Sequence, residues 1–121
     1  MDRDIFCMIV DGEIPSKKIY EDDKVLVILD VNPRSSGHCL VVPKNHYKDL
    51  YDIDTNTLIH IFSVAKDIGS MLEDKLHSNG FTLEQNNGIA QEVKHFHLHI
   101  IPRYKYDDIM EMNEVYEVLK H

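Results

Sequence analysis

The spacing of apolar residues changes several times along the chain, and each change marks an element. Residues 5–10 form a short apolar segment followed by Asp11-Gly12-Glu13-Ile14-Pro15, which predicts a short helix and then a turn. Residues 18–20 and 24–29 read as two strands joined at Glu21-Asp22-Asp23, a hairpin. After Asp30-Val31-Asn32, a loop at 33–37 leads into a third strand over 38–43, stopped by Pro43. From Thr57 the period lengthens. Leu58, Ile61, Phe62, Ala65, Ile68 and Leu72 fall on one face of a helix over 57–76, with Asp54 or Thr55 as its cap and Asn79-Gly80 after its end. A fourth strand over 81–86, a loop over 87–92 and a fifth strand over 93–101 follow, the last closed by Pro102. Residues 107–120 read as a final helix. The sum is an α+β protein: about five strands in a mostly antiparallel sheet, one long helix against it and short terminal helices.

Composition narrows the class. A chain of 121 residues suits one domain, 1–121, with an ordinary apolar fraction of 43% and charged fraction of 28%. The formal charge of −8 argues against a nucleic-acid partner, because polyanion binders need a basic stripe. It does not bar a small phosphorylated ligand, which backbone N–H groups and a few histidines hold well. The two cysteines, Cys7 and Cys39, make no disulfide framework and no CxxC pair. The charged start Met1-Asp2-Arg3-Asp4 is unlike a signal peptide, and apolar runs of about five residues fall far short of a membrane span. A cytoplasmic protein with no membrane partner is the expectation.

The strongest chemical signal is His95-Phe96-His97-Leu98-His99-Ile100-Ile101. On a strand, a period of two puts the three imidazoles on one face and Phe96, Leu98 and Ile100 on the other. The row could be a polar solvated face, a metal site, an acid–base cluster or the setting of a histidine nucleophile. His95 and His99 would lie about 13 Å apart along a strand, too far to share one zinc ion. For a nucleophile the middle residue is the natural choice, since a partner on one ring nitrogen fixes the tautomer that leaves the other free to attack. Phosphorus suits such a row, because its transition state spreads charge over oxygens that several donors can hold. The preceding loop, Asn86-Asn87-Gly88-Ile89-Ala90-Gln91-Glu92, supplies neutral donors and a glycine for close backbone approach.

These residues resemble the histidine triad (HIT) superfamily of nucleotide hydrolases and transferases, whose signature alternates three histidines with apolar residues. The similarity extends to Asp4-Ile5-Phe6-Cys7 and Gly12-Glu13-Ile14-Pro15, to Leu29-Asp30-Val31 and Gly37-His38-Cys39-Leu40-Val41-Val42-Pro43-Lys44, and to Asn86-Asn87-Gly88 with Gln91. The resemblance implies a homodimer whose sheets run together. It also implies cleavage of a purine nucleoside 5′-phosphoramidate or related adenylate through a nucleotidyl-histidine intermediate. His97 would be the nucleophile, with His99 and His38 beside it and His95 on the leaving-group side. Asp30 would accept hydrogen bonds from the ribose hydroxyls. Phe6, Ile9, Ile14, Ile28 and Val31 would wall the base pocket, although plain core packing fits the same residues. Asn86, Gln91 and the Glu92–Val93 backbone would hold phosphate.

The chain also departs from its relatives. The loop from Asn86 to Gln91 is two residues shorter than is common, and Ala90 stands where a glycine usually precedes the glutamine. The chain lacks the tryptophan-containing tail of the eukaryotic Hint branch, and its closing segment is polar and acidic. Dinucleoside polyphosphate hydrolysis and a non-catalytic nucleotide-binding or scaffolding role therefore stand as alternatives. Some bacterial members carry structural zinc on an N-terminal CxxC plus histidines. Here Asp4 takes the first cysteine position, leaving Cys7 with His46 as partner, and loss of a thiolate weakens such a site. No metal or other cofactor is expected to be required, while His60, His77 and His121 read as surface residues.

Overall fold

The computed structural model describes residues 4–105 and 109–120. The chain runs α1 (Ile5–Val10), β1 (Lys18–Glu21), β2 (Val25–Leu29), β3 (Cys39–Pro43), α2 (Thr55–Leu76), β4 (Phe81–Glu84), β5 (Leu98–Pro102) and α3 (Met112–Leu119). The five strands form one sheet in the order β1-β2-β3-β5-β4, and every neighbouring pair is antiparallel.

The central strands β2 and β3 are buried at every position, and strand alternation divides their side chains between two cores. Val25, Val27, Leu29, Cys39 and Val41 pack with Ile61, Val64, Ala65, Ile68 and Leu72 of α2, and with Val115 and Leu119 of α3. Leu26, Ile28, Leu40 and Val42 face the other way, against Phe6 and Ile9 of α1. Phe96, Leu98 and Ile100 join the α2 side, as the alternating run predicts.

Helix α2 starts two residues earlier than its period suggested, at Thr55, capped by Asp54, whose carboxylate accepts from the Thr57 N–H at 3.2 Å. It ends at His77, which adopts a left-handed φ of 59°. Its buried stripe passes through Val64 rather than Phe62, which is 45% exposed; one position beyond Ile61 turns Phe62 about 100° off the stripe. At Gly69 the helix approaches the sheet so closely that an added Cβ would fall 2.6 Å from Phe81 Cζ. Glycine here is a packing requirement.

The histidine strand is shorter than the sequence pattern implied. Pairing begins at Leu98, so only His99 of the three histidines lies within β5, and residues 92–95 are bent. Strand β4 ends at Glu84 rather than Asn86, and Gly88–Ala90 form a single 3₁₀ turn inside the expected loop. The last helix covers Met112–Leu119; Asp107 and His121 lie outside the described residues. Among the described residues no helix is long and apolar enough to cross a membrane.

Candidate functional site

The α1 side of the sheet carries a cleft of about 660 Å³. Phe6 and Ile9 from α1, Ile28 from β2, and Val31 and Val93 from adjoining loops give it an apolar wall. Asp30, His38, His97, His99, Asn86 and Glu92 supply its polar lining. Three expected residues do not line it. Ile14 packs against the α1 core instead. Gln91 is buried, donating from Nε2 to the Lys48 carbonyl at 2.6 Å, with Oε1 unpartnered among the described residues. His95 is fully buried behind the cleft.

The loop over 30–38 is rigidly built. The Asp30 N–H donates to the His38 carbonyl at 2.9 Å, and the Asn32 N–H to Asp30 Oδ1 at 2.8 Å. Gly37, at φ 90°, makes the turn into His38, a backbone conformation that suits glycine. From behind, the Tyr104 hydroxyl donates to the Ser36 carbonyl at 2.6 Å.

Hydrogen bonding fixes the imidazole tautomers. His97 Nδ1 lies 2.8 Å from the His95 carbonyl, which only accepts, so Nδ1 carries the proton and neutral His97 keeps its lone pair on Nε2. The Arg34 backbone N–H donates to His38 Nδ1 at 3.0 Å, which places the proton of neutral His38 on Nε2. That N–H is 2.9 Å from His99 Nδ1 and 3.4 Å from Asp30 Oδ2. His99 therefore accepts at Nδ1 and keeps its proton on Nε2. Burial lowers the His38 pKa, and burial with the nearby His97 and His38 lowers His99 to about 4, against the pull of Asp30. The pair is neutral at pH 7.

Phe6 contacts the rings of both His95 and His97, at centroid distances of 5.7 and 4.9 Å. The alternation holds, with Phe96, Leu98 and Ile100 on the α2 side, but the His95 ring packs edge-on to His46 and away from His99. His95 Nε2 donates to the Pro43 carbonyl at 2.9 Å. Its Nδ1 faces Asp4 Oδ1 at 3.1 Å and Cys7 Sγ at 3.6 Å. His46 Nδ1 completes the group, 3.5 Å from Cys7 Sγ and 3.0 Å from Asp4 Oδ2. Burial pushes the Asp4 carboxyl up, but the Cys7 N–H and the two histidines outweigh it and hold the pKa below its ordinary value.

All four ligand atoms lie within 4.8 Å of one another. A tetrahedral zinc with bonds of about 2.3 Å to sulfur and about 2.0–2.1 Å to nitrogen needs sulfur–nitrogen separations of about 3.6 Å, which the two Cys7 distances match. The cluster therefore fits a zinc ion more fully than Cys7 and His46 alone suggested.

Sequence reading placed Asp4 at the displaced cysteine position but missed the His95 member of that cluster, and the Arg34 and Glu84 side chains that line the cleft. Asp4 had no signal beyond its displaced cysteine. Arg34 and Glu84 meet across 50 residues of chain, a pairing no local pattern encodes. His60, expected at the surface, is half-buried and lies 2.7 Å from Asp22, tying α2 to the β1–β2 turn.

Known proteins give the same grouping. The chain is 44% identical over 117 residues to an uncharacterized HIT-like protein of Methanocaldococcus jannaschii, covering 94% of this chain and 90% of that one. It is 41% identical over 107 residues to an adenosine 5′-monophosphoramidase of Candida albicans, covering 82% and 69%. Among solved structures, a zinc-bound histidine triad family protein from Mycobacterium smegmatis superposes with a TM-score of 0.89 at 36% identity, covering 96% of this chain and 89% of that one. The HIT domain family matches residues 11–106, and the chain belongs to that family.

Proposed function

We propose that the cleft binds a purine nucleoside 5′-phosphate and that the protein hydrolyses nucleoside 5′-phosphoramidates or related adenylates. The observation that carries this reading is the tautomer of His97: its Nδ1–H is held by the His95 carbonyl, and its Nε2 lone pair is left for chemistry in a residue that lines the cleft. His97 Nε2 bonds to the α-phosphorus as the bond from phosphorus to the leaving nitrogen breaks. The leaving amine takes up a proton from solvent, to which the attacking water of the second step returns one. Water then attacks phosphorus, releasing the nucleotide and restoring His97. His99 Nε2–H and the Asn86 amide are donors suited to phosphate oxygens, and the Asp30 carboxylate is suited to ribose hydroxyls. His95 acts through its carbonyl as a positioning residue for His97.

Two further roles accompany this reading. The Asp4, Cys7, His46 and His95 cluster would hold zinc as a structural tie between α1 and the chain entering β5. The exposed Ile59 and Phe62 on α2, with the outer edge of β4, suit a second copy of the chain in a homodimer.

The decisive experiment mixes the protein with adenosine 5′-phosphoramidate and follows AMP release, with rapid-quench mass spectrometry for an adenylyl adduct on His97. His97→Ala should abolish turnover and adduct while retaining the native circular dichroism spectrum. Turnover near the wild-type rate in that variant would refute the nucleophile assignment.

A further inference from the structure

At the rim of the cleft, Arg34 and Glu84 form a two-point ion pair. Arg34 Nη1 donates to Glu84 Oε1 at 3.0 Å and Nη2 donates to Oε2 at 2.7 Å. Both residues line the cleft, one from the loop over 30–38 and the other from the end of β4, where Glu84 pairs with His99. Glu84 Oε2 also accepts from Asn86 Nδ2 at 3.3 Å, so the carboxylate engages an amide assigned above to phosphate. The side chains are 44% and 36% exposed, and a pair so exposed contributes little to stability. Its effect falls instead on what enters the cleft.

A guanidinium presents a planar fork that fits a phosphate or sulfate as well as it fits a carboxylate. While Glu84 occupies that fork, an anion arriving beside Asn86 meets the carboxylate and finds those Arg34 donors engaged. The Arg34 neighbour holds the Glu84 carboxyl at about 2, so it stays charged across the neutral range. We infer that the Arg34–Glu84 pair determines specificity by the charge of the group leaving the α-phosphate. The closed pair is neutral overall and admits an amine leaving group, while Glu84 withholds Arg34 from a phosphate or sulfate. This rests on the nucleotide-hydrolase reading above.

The test compares the wild type, Glu84→Gln and Arg34→Gln on adenosine 5′-phosphoramidate and on adenylyl sulfate, with thermal melts as a folding control. Glu84→Gln frees the guanidinium and should raise the sulfate-to-phosphoramidate ratio of kcat/KM by about tenfold at low salt, an advantage that shrinks as salt screens it. Arg34→Gln leaves the carboxylate alone and should lower the same ratio. Equal effects on both substrates would show a merely structural tie and overturn the proposal.

Calorimetric affinities for AMP and ADP separate this proposal from the reading beneath it. If the wild type binds AMP but turns over neither substrate, hydrolysis fails, yet the ADP-to-AMP affinity ratio should still rise in Glu84→Gln and fall in Arg34→Gln. An unchanged affinity ratio in both variants overturns the selector. If adenosine 3′,5′-bisphosphate shows the shift and ADP does not, the anion lies on the ribose and the leaving-group assignment falls. Absence of AMP binding in the wild type removes both proposals.

Discussion

Neutral His99 is part of what holds the cleft together, and its removal by acid should be measurable. Its side chain is largely buried, and its pKa falls from an ordinary 6.5 to about 4, first through burial and then through His97 and His38. Between those values the unfolded chain takes up a proton that the folded chain refuses. Stability is therefore complete above about pH 6.5 and is lost as pH falls toward 4. At about 1.4 kcal/mol per tenfold, the span corresponds to about 3 kcal/mol. Carboxylates such as Glu84 add their own acid sensitivity at lower pH, so the informative quantity is a difference between two proteins. Urea unfolding of the wild type and of His99→Asn, which retains an acceptor near the Nδ1 position, should be run at intervals from pH 7 to 4. The wild type should lose about 3 kcal/mol more than the variant over that range. Because His38 and His99 share a hydrogen bond, acid is expected to protonate them in two separate steps that belong to the pair rather than to either ring. Parallel curves for the two proteins would refute the assignment of a neutral, buried His99.

Two other outcomes follow from the geometry. Gly69→Ala pushes a methyl group into the Phe81 ring, a cost of about 1–3 kcal/mol, offset by up to about 1 kcal/mol of improved helix propensity; urea unfolding should show a net loss that Phe81→Leu relieves. Protein purified from zinc-containing medium should hold about one zinc per chain by elemental analysis, and Cys7→Ala should fall well below that while His60→Ala does not; equal metal content in both variants would exclude the cluster as the ligand set.

The sheet, the long helix and most of the cleft were legible because their signals are local. The five buried positions of β2 and the α2 stripe declare themselves within a few residues. Asp30, His38, His97 and His99 sit in motifs that carry them to one face of the sheet. What stayed hidden depends on distant partners. Alternation correctly put His95 on the face of its neighbours but gave no sign that its ring meets Asp4 and His46 rather than the cleft. Gln91 looked like a phosphate donor until the Lys48 carbonyl claimed its amide. Phe62 fitted the helical period but lay just outside the stripe that the sheet covers.

The tie between His38 and His99 spans 61 residues, that between Arg34 and Glu84 spans 50, and that between Asp4 and His95 spans 91. Contacts of such range close large loops and form late, after local helices and hairpins have appeared. A growing chain leaving the ribosome can make its first hairpin and long helix before residue 95 is synthesised, yet it cannot make the cleft. Under the proposed function, nucleotide capture would report that the whole sheet has assembled, and a refolding assay that follows AMP binding should lag behind one that follows helix content.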